Sequence, residues 1–199
     1  MELSELIDDF DGIQPPHVAF YSEAIRFNVD CASRSIMFVA SFVEKFYEAN
    51  GSVKDTAIDQ NLVLDHLQNF LVHTAAVSKF FWPVKDGGNK LHKKRSLKLR
   101  KLFKISDHSV LKNRTLRNQL EHFDENLDKH LWTKPIVGNI LPSYVGYMPV
   151  DEQLPYHLFR AFFVDTAVFE TLGVQYELDP ILEEIGKLYA HFYPAQVRT

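Results

Sequence analysis

Arg117, Asn118 and His122 stand close together in the stretch LRNQLEHFDENLDKHL, residues 116 to 131. A guanidinium, a carboxamide and an imidazole in one short region can hold a phosphate and move a proton. Imidazole titrates near neutral pH, so His122 can act as general base or general acid. The planar donor fork of Arg117 fits non-bridging phosphate oxygens. Its fixed charge also steadies negative charge that develops in a transition state. Asn118 can orient the imidazole or bind the phosphate itself. Glu121, four residues after Arg117, can pair with it and fix it.

The element that must position these groups reads as an amphipathic helix. Leu116, Leu120, Phe123, Leu127 and Leu131 recur at three- and four-residue steps and form one apolar stripe expected to face the core. Arg114, Asn118, Glu121, His122 and Glu125 fall on the opposite side, and Arg117 lies between the two faces. Asn118 and His122 are an i,i+4 pair and so lie side by side. The plain alternative is a solvated polar face.

These residues resemble the HEPN family of small helical ribonucleases and nucleotide-binding proteins. Its hallmark is an arginine, four to six residues, then a histidine, with a polar residue usual directly after the arginine. Arg117-Asn118-Gln119-Leu120-Glu121-His122 is the four-residue form, with Asn118 at the polar position. The following Phe123-Asp124-Glu125 is similar to one HEPN subgroup. The motif is short, and the resemblance covers the helical part, about residues 15 to 132, better than the last third.

Composition sets the frame. Hydrophobic content of 46% is enough for a real core, and sixteen Phe with eight Tyr predict large aromatic contributions to a core or an oligomer interface. The net charge of -4 exerts no global pull on nucleic acid, so any RNA binding must come from a local basic patch. Cys31 is the single cysteine and cannot form an intramolecular disulfide; within an apolar run it reads as a small buried residue. The N-terminus is acidic and unlike a signal peptide, and no apolar run approaches a membrane span. The expectation is a soluble cytoplasmic protein with no membrane contact.

Along the chain, Leu3, Leu6, Ile7 and Phe10 mark a short helix or docked arm. Pro15-Pro16 opens a long helix that Asn50-Gly51 ends. A second long helix runs from about Asp59 to Trp82, where Pro83 stops it. Joined by a short link, the two should pair antiparallel. His66 and His73 share a face of the second helix and read as ordinary surface or interface residues. Eight basic residues then crowd residues 90 to 104. Among them Lys93, Lys94, Arg95 and Lys98, with Arg114 beyond, are the expected phosphate contacts, because a polyanion relieves their mutual repulsion. A solvated helix face is the alternative. Ser106 or Asp107 can cap the motif helix.

After Trp132, prolines and glycines punctuate an extended or loop segment. Branched and aromatic residues from His157 to Leu178 predict a small antiparallel meander, with a helix over 155 to 172 as the alternative. Asp179-Pro180 opens a final helix. The expected fold is mainly α (α+β): an antiparallel helical bundle of HEPN type over about 15 to 132, in a single HEPN-like domain spanning 1 to 199. The meander and last helix, about 133 to 194, are expected as an appendage.

The resemblance implies a metal-independent endoribonuclease with no cofactor. Its products are 2',3'-cyclic phosphate and 5'-hydroxyl ends, and toxin–antitoxin or defence systems are its setting. Partners implied are RNA, a second copy of the chain and an antitoxin or regulatory protein. One histidine cannot easily serve both proton transfers, and the family's usual solution is a homodimer whose two motifs share a cleft. The alternative is a catalytically silent HEPN-like nucleotide- or RNA-binding or scaffold protein. A carboxylate–histidine metal helix built on Glu121, His122 and Glu125 lacks the matching Glu-x-x-His motifs on neighbouring helices that would complete it.

Overall fold

The computed structural model describes residues 3 to 85, 87 to 113, 115, 118, 122 to 133, 138 to 149 and 156 to 194. The protein is mainly helical, with a small four-stranded mixed sheet and a C-terminal helix.

Helix α1 (Leu3–Asp9) leads into a 3-10 turn at Pro15–His17 and then α2 (Val18–Glu48). Helix α3 (Gln60–Phe81) follows, with Asp59 as N-cap accepting from Asn61 N–H. The two long helices run antiparallel, as ring contacts show: Tyr21 meets Phe80, Phe27 meets His73, and Phe38 stacks on His66 at 4.0 Å. Numbers that rise on α2 fall on α3. His66 and His73 thus tie the hairpin together. His73 Nδ1 lies 3.0 Å from Asn28 Oδ1, and burial together with nearby Arg34 lowers its pKa, so it favours the neutral ring. Cys31 is only half-buried, and Arg34 donates to its Sγ at 3.1 Å; the expected full burial is not found because residue 31 lies off the face that α2 turns to α3.

The buried face of α2 is Ile25, Val29, Ala32, Val39, Phe42 and Phe46, at three-, four- and seven-residue steps. It meets Val63, Leu67, Phe70, Leu71, Val77 and Phe81 of α3. Burying side chains of this size contributes about 1.5–3 kcal/mol each. This packing, rather than helix propensity, holds the hairpin.

Helix α4 (Leu91–Leu102) carries the basic block across the hairpin and clamps the N-terminal arm. Lys98 Nζ donates to Phe10 O at 2.8 Å and to Ile13 O at 3.0 Å, and Lys94 pairs with Asp8. Gly12 lies so close to α4 that a Cβ there would sit 2.7 Å from Arg95 N, and its φ is +78°. Only glycine fits that approach without strain. Lys98→Met is expected to release the arm, since two carbonyls lose a charged donor worth ~1–3 kcal/mol. Limited proteolysis checks it: faster cleavage near residues 3 to 13 with the rest of the chain resistant is the expected pattern.

The last third forms the sheet, in the order β1-β2-β3-β4. Strands β2 (Tyr156–Phe163), β3 (Val168–Thr171) and β4 (Val174–Glu177) make the expected antiparallel meander. Leu172 and Gly173, both at positive φ, close the β3–β4 hairpin, the backbone that a two-residue turn of the primed type requires. Residues 139 to 146, expected as a loop or extended stretch, are extended and form strand β1 (Asn139–Gly146), pairing parallel with β2. The sheet is therefore mixed, not purely antiparallel. Pro142 is tolerated because β1 is an edge strand, where one N–H is not needed for the ladder.

Helix α6 (Asp179–Phe192) packs Ile181, Ile185 and Leu188 inward. Tyr193 OH donates to Asp30 Oδ2 at 2.9 Å, and Arg26 Nη1 donates to the same phenol oxygen at 3.0 Å, tying the chain's end to α2. Val145, Phe162, Phe169 and Tyr176 belong to the same buried cluster as Ile25 and Phe70. Part of the sheet thus shares the helices' core, while Leu158, Ala161, Phe163 and Val168 form a second, smaller buried cluster.

Candidate functional site

A short, firmly held turn delivers the chain to the motif. Ser109 caps a 3-10 turn at Val110–Lys112 by accepting from Leu111 N–H. Leu111 is buried, and its carbonyl accepts from Ser78 Oγ of α3 at 2.5 Å. Ser109 Oγ also donates to Glu184 of α6. Burial alone would push the Glu184 carboxyl up, but hydrogen bonds from Lys187 and Ser109 outweigh it and hold the group below its usual value. The turn is thus pinned to α3 on one side and α6 on the other.

Asn113, directly after this turn, accepts on Oδ1 from Thr115 N–H at 2.9 Å, the contact an N-cap makes. Ser106 and Asp107 do not take that role. Ser106 accepts from His108 N–H, and Asp107 pairs with Arg100 at 3.3 Å.

Thr115 and Asn118 are helical. His122 N–H donates to Asn118 O at 3.0 Å, and Asn126 N–H donates to His122 O at 3.0 Å. The i,i+4 relation of Asn118 and His122 is therefore present, and both are exposed. His122 Nδ1 lies 3.7 Å from Glu125 Oε1, and both side chains are exposed. Arg114, Arg117 and Glu121 lie outside the described residues, as do Leu116 and Leu120.

Helix α5 (Phe123–Thr133) departs from expectation. None of its residues is fully buried. Phe123 and Leu127 are half-buried, Leu131 is 40% exposed and Trp132 is 90% exposed. The helix touches β2 through ring contacts: Arg160 lies over the Phe123 ring at 5.0 Å, and His130 meets Phe159 edge-on at 6.3 Å. Of the apolar stripe, the described members Phe123, Leu127 and Leu131 lie outside the buried core, which α2, α3, the sheet and α6 supply.

The basic block does not present one surface. Lys94 and Lys98 turn to the N-terminal arm. Arg95 turns to the hairpin, with its guanidinium 5.7 Å from the Tyr21 ring and 5.9 Å from the Phe80 ring. Arg100 donates to Phe81 O at 3.1 Å and lies over Trp82. Lys93 is exposed. Among the described residues, no hydrogen bond, ion pair or ring contact joins α4 to Asn118 or His122. No group of three or more His, Cys, Asp or Glu side chains is placed to hold a metal ion among the described residues.

A cavity of about 270 Å³ opens beside Asn113. Thr74 and Tyr176 line it, and both hydroxyls are buried without a hydrogen-bond partner. Burial pushes the Tyr176 phenol up to about 12. Thr74 and Ser78, two small polar residues at i,i+4 on the buried face of α3, were the readable signal for a polar feature there.

No family model, no curated protein and no solved structure matches this chain.

Proposed function

We propose that this chain is a metal-independent endoribonuclease of HEPN type, with Arg117, Asn118 and His122 as its working residues. The observation that carries the reading is the backbone hydrogen bond from His122 N–H to Asn118 O, which joins two exposed residues, one of them directly after Arg117. RNA supplies its own nucleophile, the 2'-hydroxyl. One imidazole removes the 2'-hydroxyl proton as that oxygen bonds to phosphorus. The bond to the 5'-oxygen breaks, and a second acid delivers a proton to it. The products are a 2',3'-cyclic phosphate and a 5'-hydroxyl. Arg117 holds the non-bridging oxygens and offsets their growing charge. Glu125 steadies His122 when the ring carries its extra proton.

Two proton transfers call for two acids or bases. We assign the second to His122 of another copy of the chain. An isologous two-fold contact would place both motifs in one groove. The exposed Leu131 and Trp132 on α5 supply apolar surface for such a contact next to the motif. A protein partner that restrains the nuclease fits the same surface.

The catalytically silent scaffold reading draws on the same exposed Trp132, which suits a binding face as well as a dimer. The test is cleavage of a mixed-sequence RNA in excess chelator. Unimpaired cleavage to cyclic-phosphate ends is expected, and RNA binding without cleavage moves the protein to the scaffold reading. Light scattering at micromolar concentration should report a dimer; a monomer throughout removes the composite site.

A further inference from the structure

The cavity beside Asn113 has no part in the proposed cleavage. Thr74 on α3, Leu111 on the 3-10 turn, Tyr176 on β4 and Ile181 on α6 meet around its volume of about 270 Å³. These four are buried, whereas Asn113, Gln175 and Glu177 are exposed and form the rim. An engineered cavity of about 150 Å³ takes benzene, so this one has room for a ring and a small polar group.

Most of the polar wall is already committed. Ser78 Oγ donates to Leu111 O, Asn113 Oδ1 accepts from Thr115 N–H, and Gln175 Nε2 donates to Glu170 at 2.8 Å. Thr74 Oγ1 and Tyr176 OH are the exceptions, each buried without a hydrogen-bond partner in the chain. Thr74 is 3% exposed and Tyr176 7%. Buried hydroxyls nearly always have a partner, because leaving one unpaired is costly. Two such groups, from two different elements, border one cavity. A ligand held there can supply both missing partners.

Charge narrows the class of ligand. The described lining residues include no Lys, Arg or His, so a phosphate or carboxylate would enter without a counter-ion. Glu177 at the rim would repel either one. It is also the only carboxylate of the described lining, and its exposure leaves no buried anion to hold a cation. An uncharged ligand avoids both penalties. The Tyr176 phenol, pushed up by burial, stays protonated and able to donate at neutral pH.

We propose that this cavity binds a small uncharged amide carried on an apolar ring. The ring lies against Leu111 and Ile181, and the amide meets Tyr176 and Thr74. The amide carbonyl accepts from the phenol, while the Thr74 hydroxyl can donate or accept. The site rests on these wall residues and not on the nuclease reading.

The experiment is titration of the full chain with benzamide, benzoate and benzamidine, followed by NMR through the backbone amide shifts. Saturable binding of benzamide is expected, with the largest shifts at residues 110 to 113 and 174 to 177. Benzoate and benzamidine have nearly the same shape but carry charge, and should bind at least tenfold more weakly. Tyr176→Phe and Thr74→Val keep the shape of the wall and remove one hydroxyl each. Each should weaken benzamide binding at least threefold. Neither should lower the melting temperature of the free chain, because a hydroxyl without a partner does not help to hold the fold. Lowered melting temperatures together with no benzamide binding would mark the hydroxyls as structural and overturn the proposal. So would either ion binding as tightly as benzamide, shifts centred elsewhere, or unchanged benzamide affinity in either variant.

Discussion

His122→Ala is expected to lower RNA cleavage by roughly a hundredfold or more, the usual scale for losing general acid–base help. Its fold should be unaffected, because the side chain is 57% exposed and its removal opens no core cavity. Arg117→Ala should cripple cleavage too, but by a different route. The guanidinium positions phosphate, so RNA binding should weaken along with turnover. Arg117→Lys should not restore full activity, because a point charge lacks the fork. The double substitution should be far from additive, since both groups act on one transition state. Glu125→Gln should have a smaller effect, because its carboxylate only steadies the charged ring. Single-turnover cleavage in chelator, with melting curves alongside, checks the set. Equal rates for His122→Ala and wild type would sink the nuclease assignment, whatever the RNA chosen.

The long helices were legible because their signals are local. Three-four spacing, the Asp59 cap and the Pro83 stop each act within a turn or two of the residue that carries them. The meander was legible for the same reason, its branched residues and Gly173 turn marking each strand. Strand β1 was hidden. Its proline argues against a strand from the sequence side, and parallel pairing with β2 involves a partner that no local pattern names. The motif helix shows a different limit. An apolar stripe states that a face wants cover, but not what covers it. For α5 the core was already complete, and Leu131 and Trp132 stay outside it. The basic block shows a third. Charge density reads as a surface for polyanions, yet Lys98 and Arg100 send their cationic ends to backbone carbonyls of this same chain. The cavity beside Asn113 draws its walls from several segments, so only single residues such as Thr74 and Ser78 hint at it.

Phe70 and Leu111 separate what holds the fold from what aims the motif. Phe70 is fully buried near the middle of the α2–α3 hairpin. Phe70→Ala should therefore cost about 3–5 kcal/mol, through lost transfer energy and the cavity left behind. Against a total of roughly 5–15 kcal/mol, that is a large fraction. Leu111→Ala should cost less, near the lower end of ~2–5 kcal/mol. Leu111 already borders the 270 Å³ cavity, so on that side it has fewer packing contacts to lose. Cleavage should rank the other way. Leu111 anchors the turn that runs straight into Asn113 and the motif, held by Ser78 and Glu184. Loosening it should misplace Asn118 and His122 while the hairpin stays intact. Urea unfolding should show the lower midpoint for Phe70→Ala with an unchanged slope. Cleavage, measured at a temperature where both variants are folded, should be the more damaged in Leu111→Ala. If Leu111→Ala cleaves as fast as wild type while Phe70→Ala does not, the turn does not aim the motif, and the frame that holds His122 must be sought along α5 and β2 instead.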